Sequence, residues 1–103
     1  IAPEGFALDR ALALCDASLK LKPNVSATLD SRAFVLLRLG RDAEALEGYN
    51  AALTVQPKEY NSLYGRGLVE ARLGRAAASA TDLHAALKAR PDLRADFEEM
   101  GVE

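Results

Sequence analysis

The tetrapeptide RLGR occupies residues 38–41 and returns at 72–75, 34 positions on. Sliding the whole chain by 34 shows that the recurrence is not confined to those letters. Residues 26–59 align on 60–93 without a gap. The identities are Leu29/Leu63, Arg32/Arg66, Val35/Val69, the RLGR block, Ala43/Ala77, Ala51-Ala52-Leu53 on Ala85-Ala86-Leu87, and Pro57/Pro91. Pro23 lies a further 34 residues upstream of Pro57, preceded by Ala11-Leu12, Ala17 and Leu19 in phase with Ala45-Leu46, Ala51 and Leu53. A period of this length means equivalent units, none of which buries its own apolar face without a neighbour.

The composition says what each unit is made of. Ala and Leu, both strong helix formers, dominate, and the β-branched residues that favour strands are few, so the chain is expected to be all-α. Gly40 and Gly74 follow stretches ending in Arg-Leu, the pattern of a helix C-terminus. Each following stretch runs to a proline, which cannot extend a helix and biases the residue before it away from the α region. The spacing predicts helices over 5–21, 26–39, 42–55, 60–73, 76–89 and 93–101. Asn24, Asp42 and Asp92 are placed as caps or first-turn acids.

A helix–turn–helix period of 34 is the length of the tetratricopeptide repeat, and the residues resemble that family as well. Leu29, Ala33 and Leu36, then Leu63 and Gly67, stand where its first helix has large, small and apolar residues. Ala45, Tyr49, Ala52 and Pro57 follow its second-helix pattern. Ser79, Leu83, Ala86 and Pro91 follow it less strictly, and Ala11, Cys15, Ser18 and Pro23 occupy the same places upstream. Leu replaces the usual Trp, Arg32 and Arg66 stand where apolar residues are commoner, and Glu70 takes a position where Tyr is favoured. The resemblance implies an α-solenoid of stacked antiparallel helix pairs forming a right-handed superhelix. It implies one domain over 1–103: a partial unit at 1–23 with a second helix only, units at 26–59 and 60–93, and a capping helix or opening of a further unit at 93–103.

In that last segment Leu93, Phe97 and Met100 form one apolar stripe, with Phe97, Met100 and Gly101 falling on Leu63, Arg66 and Gly67. It is expected to cover the preceding unit, with Asp96, Glu98, Glu99 and the acidic tail ending in Glu103 in water. Ala33, Gly67, Ala45, Ala52 and Ala86 are the small residues expected at helix crossings.

In the family, the first helix of each pair lines a concave groove. Its groove positions map to Ala27, Asp30, Phe34 and Arg38 in one unit and to Asn61, Tyr64, Leu68 and Arg72 in the next. The sets 30, 34, 38 and 64, 68, 72 each follow i, i+4, i+8 and so share a helix face. The resulting surface has an apolar middle and an arginine ending each row, suited to a peptide with apolar anchors and an acidic group. The opposing reading packs Phe34 and Leu68 beneath a neighbouring helix and leaves the arginines solvated. The family's carboxylate clamp of Lys and Asn has no counterpart at Asp30, Ser31, Phe34, Asn61 and Gly65, so chaperone-tail binding is not implied.

Other classes of function find little support. A net charge of −2 argues against a polyanion-binding surface. No apolar run approaches the roughly 18–20 residues of a membrane span, and no signal-peptide pattern opens the chain. The first residue is Ile rather than Met, as expected of a processed product or an excised piece. Lone Cys15 excludes an internal disulfide framework and reads as packing. His84 has no metal-ligand spacing around it and is placed facing outward. Arg66 is expected to pair with Glu70 one turn on. No nucleophile–base–acid set and no Gly-rich phosphate loop occurs, so neither catalysis nor a cofactor is expected.

The reading is therefore a soluble protein-interaction module that binds a peptide or partner protein through the groove of Asp30, Phe34, Arg38, Asn61, Tyr64, Leu68 and Arg72. A second reading is self-association through a terminal helix exposing Phe6, Leu12 and Leu19. A third is a scaffolding domain of a larger, enzymatic chain.

Overall fold

The computed structural model describes residues 4–102; Glu103, the end of the acidic tail, lies outside them. The described residues form six α-helices and no strand: α1 (Glu4–Leu21), α2 (Ser26–Arg38), α3 (Asp42–Val55), α4 (Tyr60–Arg72), α5 (Ala76–Ala89) and α6 (Leu93–Glu99). All six expected helices are present, their ends within two residues of expectation. No connection exceeds four residues, which forces consecutive helices to lie against each other. Contact runs from α1 to α2, α2 to α3, α3 to α4 and α4 to α5, with α2 also touching α4. The radius of gyration is 13.2 Å, close to the roughly 13 Å of a globular domain of this length.

The two RLGR blocks terminate α2 and α4 in the same way. Gly40 and Gly74 take φ of 78° and 79°, a region that costs an L-residue with a Cβ. The reversal lets Arg41 N–H reach Leu36 O and Arg75 N–H reach Glu70 O, while the glycine N–H groups bond Leu37 O and Ala71 O. These are the paired bonds of a Schellman ending. Pro23, Pro57 and Pro91 fall in the connections after α1, α3 and α5, at matching corners. Of the expected caps or first-turn acids, Asp42 and Asp92 stand at helix starts and Asn24 does not. Val25, Arg41, Glu59, Arg75 and Asp92 hold the N-cap positions, and none donates or accepts a side-chain capping bond. Asp42 is a first-turn acid, and Asn24 precedes the cap.

Small residues sit where helices cross. Ala33, Ala45, Ala52 and Ala86 are fully buried. A Cβ on Gly48 would stand 3.0 Å from the Ala33 Cβ, and one on Gly67 would stand 2.7 Å from Leu83. The tightest approach is at Gly65, where a Cβ would lie 2.3 Å from Cζ of the buried Tyr49. α3 and α4 thus come together through a glycine against a ring.

Polar staples repeat with the period. Arg32 Nε donates to Asp16 Oδ1 at 2.6 Å, tying α2 to α1, and Arg66 donates to Asn50 Oδ1 at 3.0 Å, tying α4 to α3. Each member of one pair lies 34 residues from its counterpart. Arg66 also grips α5, donating to both carboxylate oxygens of Asp82 at 2.7 and 3.0 Å. The expected Arg66–Glu70 pair is only a 4.0 Å approach, because the guanidinium fork is committed to the carboxylate across the crossing. Burial acts to raise the Asp82 carboxyl, but the hydrogen bonds from Arg66 hold it below its ordinary value. Burial pushes Glu70 up to about 7, with the adjacent Asp82 acting in the same direction.

Candidate functional site

α6 does not extend the row in the manner of α4. Gly101 aligns with Gly67, which sits inside a helix, yet Gly101 takes φ of 81° and ends α6. Val102 N–H bonds Phe97 O and Gly101 N–H bonds Glu98 O, the same ending as at Gly40 and Gly74. The helix is therefore one short segment, and it packs by side chains more than by backbone approach. Leu93 and Phe97 are buried, as is Val102 beyond the turn. Met100, expected to complete the apolar stripe, is 43% exposed; the reversal at Gly101 brings Val102 in where Met100 was expected. Asp96 is half-buried and approaches Arg90 at 3.5 Å, so of the three acids expected in water only Glu98 and Glu99 are exposed.

Phe97 organises the site. Its ring meets the edge of Phe34 at 5.7 Å between centroids and 89° between planes, and it lies 4.6 Å from Tyr64. Offset and edge-on arrangements at such distances are the favourable ones for aromatic pairs. The C-terminal helix thus lies over residues of both α2 and α4. Beside it a cleft of about 650 Å³ remains, bounded by α1, α2, α4 and α6. Asp30, Ser31 and Phe34 form one wall, Asn61 and Arg90 another, and Phe97 with Met100 a third. The hydroxyl of Tyr49, which also lines the cleft, has no hydrogen-bond partner among the described residues. Burial pushes its phenol well above the ordinary range, so it stays neutral.

The seven residues expected to line a groove separate into three groups. Asp30, Phe34 and Asn61 come together on the cleft. Asp30 accepts from Ser62 Oγ at 2.7 Å, and burial raises its carboxyl against that bond. Asn61 Oδ1 accepts from Arg90 at 3.5 Å. Tyr64 is buried beneath Phe97, and Leu68 packs against the core, half-buried. Arg38 and Arg72 lie at a second, smaller opening of about 360 Å³, together with Gly101 and Val102. There the Arg38 guanidinium stands 6.0 Å from the Phe34 ring centre, and Arg72 pairs with Asp42 at 2.9 Å.

Sequence reasoning missed the α6 contribution and that of Arg90. The signal was available: a stripe of Leu93 and Phe97 has to bury somewhere, and Phe34 and Tyr64 are the large apolar side chains that a helix returning across α4 meets. Cys15 is half-buried on the cleft rim, where burial pushes its thiol up, away from the reactive thiolate. His84 is exposed. Among the described residues no cluster of His, Cys, Asp or Glu is arranged to hold a metal ion, and no helix is long and apolar enough to cross a membrane.

The outer face of α1 also differs from expectation. Phe6 is 53% exposed, as anticipated, but Leu12 packs onto the core and Leu19 is half-buried. Leu14 and Leu21 are the exposed ones, at 71% and 85%. Ala11, Cys15 and Leu12 turn inward toward α2, which leaves Leu14 on the far side of the helix. No protein-family model matches this chain, and no curated protein matches it.

Proposed function

We propose that this chain is a tetratricopeptide-like α-solenoid segment that acts as a protein-interaction module, docking a peptide or partner segment on the face shared by α2 and α4. Stacked helix pairs of this kind give a concave surface built from the first helix of each pair, and the cleft of Asp30, Phe34 and Asn61 belongs to such a surface. The observation that carries the reading is the pairing of an apolar floor with polar groups at its rim: Phe34 and Phe97 below, Asn61, Arg90 and Asp30 around them. That is the make-up of a peptide-docking cleft, in which apolar anchors supply affinity and a few polar groups set orientation. Nothing in it resembles a reacting centre, and no catalytic role is assigned.

The test is selection of peptides from a displayed library against the chain, with Asn61→Ala and Arg38→Glu variants in parallel. Asn61 stands at the rim of the cleft and Arg38 at the second opening, and thermal melts verify that both variants keep the fold. Enriched peptides that carry apolar anchors and lose at least about tenfold in affinity (1.4 kcal/mol) on the variants support the reading. Peptides that bind all three proteins equally, or no enrichment, dispose of it.

A second reading rests on a separate observation. Phe6, Leu14 and Leu21 are exposed on one helix, and an unpartnered apolar stripe suits pairing with a second copy. Sedimentation across a wide concentration range decides this: a dimer that Leu14→Glu and Leu21→Glu abolish supports it, and a monomer throughout excludes it.

A further inference from the structure

We infer that the cleft takes a basic side chain: a partner segment docks by inserting a lysine or arginine whose charge lies against Asp30 and whose stem runs over Phe34. This rests on the docking reading above and names the partner's anchor.

Charge decides what the occupant can be. The arginines expected to meet an acidic group, Arg38 and Arg72, stand at the second opening, and Arg72 is already paired with Asp42. Among the described residues that line the cleft, Asp30, Asp96 and Glu99 stand against Arg90 alone. Arg90 lies 3.5 Å from both Asp92 and Asp96, so its charge is offset within its own connection. Asp30 accepts from the neutral Ser62 hydroxyl and pairs with no cation among the described residues. Burial raises its carboxyl, the Ser62 bond opposes that, and Glu59 adds to the rise. An apolar or acidic guest would strip the remaining water from this carboxylate without compensation. A cation replaces that water with a charge-assisted bond.

A second observation comes from beneath the cleft. Tyr49 is the one residue of α3 among the described residues lining it, and its ring reaches there past Gly65. The side chain is fully buried, and its hydroxyl has no hydrogen-bond partner among the described residues. That hydroxyl is the tip of the ring, hence the polar atom that Tyr49 brings to the cleft. After burial, the Asp30 charge is what raises the phenol, which places the two groups near each other. A hydroxyl accepts as well as donates, so a cation seated on Asp30 finds a second acceptor in Tyr49 Oη. The rest of the lining suits the stem. Ala11, Phe34, Val35, Phe97 and Met100 are apolar, and Lys and Arg lay their methylene chains along such surface.

The probe is the displayed peptide library selected against the wild-type chain, with the best enriched peptide then remade with norleucine at its basic position. Norleucine keeps the lysine stem and drops the charge. We expect one position of the enriched peptides to be Lys or Arg, and the norleucine version to bind at least about tenfold more weakly. This comparison needs only the wild-type chain. Asp30→Asn keeps an oxygen that accepts from Ser62 and should erase the preference for the basic residue. Tyr49→Phe removes a hydroxyl that bonds nothing in the protein and should reduce the preference by about threefold. Glu47→Gln, at an exposed acid outside the cleft, should leave it unchanged. A preference that survives Asp30→Asn, or that Glu47→Gln weakens equally, would mean that overall negative charge attracts the peptides, and overturns the inference. Enriched peptides that depend on Asn61 but carry no basic residue remove this inference alone and leave the docking reading standing. No enrichment at all removes both.

Discussion

Gly65→Ala adds one methyl group at the glycine whose added Cβ would meet its neighbours most closely. The new Cβ would stand 2.3 Å from Cζ, 2.4 Å from the hydroxyl and 2.8 Å from Cε1 of Tyr49. Tyr49 is fully buried, so the methyl is accommodated only by pushing its rigid ring toward the cleft or by parting α3 and α4. Two effects compete. Ala is favoured over Gly inside a helix by about 1 kcal/mol, and overpacking a filled core costs about 1–3 kcal/mol or more. With three ring atoms under 3.0 Å the upper end applies, and we expect a net loss of about 2 kcal/mol. For a domain of this size that lowers the melting temperature by roughly 8–16 °C. Gly5→Ala is the internal control: no atom lies within 4 Å of its added Cβ, so the propensity gain stands alone and stability should rise by up to about 1 kcal/mol. The assay is urea unfolding followed by far-UV circular dichroism, run on both variants and on Gly65→Ala combined with Tyr49→Leu. In the double variant the methyl has room, and the two losses should be clearly less than additive. If Gly65→Ala is as stable as the wild type, or if the double-variant losses simply add, the α3–α4 crossing is not as described.

Arg66→Ala removes the guanidinium from Asp82, leaving a buried carboxylate without its partner, and should cost about 3 kcal/mol in urea unfolding; Arg66→Met with Asp82→Leu should recover most of that. Glu70 has a folded-state pKa above its unfolded one, so the folded chain holds its proton more tightly and stability falls as pH rises from the ordinary carboxylate range through about 7. Glu70→Gln should flatten that part of a pH series of unfolding midpoints, and a series unchanged by the substitution would contradict it. Gly74→Ala meets no neighbouring atom, so its expected cost of about 1–2 kcal/mol is the left-handed backbone alone, and an unchanged melting temperature would count against the Schellman ending.

Periodicity made the helices legible, because it depends on features that act locally: Gly after a basic last turn, Pro after an apolar run, small residues at fixed offsets. The fully buried Ala33, Ala45, Ala52 and Ala86 stand where the repeat placed them. What the repeat could not convey is where the period breaks. Gly101 aligns with Gly67, but a glycine in phase with a helix interior is equally able to end a helix, and the choice depends on whether a longer α6 would find anything to pack on. The closer partner of Arg66 was not foreseen for a related reason: Glu70 is near in sequence, whereas Asp82 is near only once α4 and α5 cross. On α1, Leu12 and Leu14 differ by two positions and so by about half a turn; which of them faces inward is decided by α2, not by α1 itself. Of the groove residues, Asp30, Phe34 and Asn61 share a cleft because α2 and α4 are neighbours, while Tyr64 lost its access to α6, whose apolar stripe was expected to cover the preceding unit but not to land on this residue.

The arrangement of the site depends on α6 lying across the face shared by α2 and α4. The most direct measurement is the set of ring-to-ring nuclear Overhauser effects of Phe97 in the full chain. Cross-peaks from Phe97 to both Phe34 and Tyr64 are predicted, since the centroids lie 5.7 and 4.6 Å apart. A Phe97 ring with no cross-peak to either, in a chain whose Tyr49 is still in contact with Gly65, would show the helices stacked and the face bare.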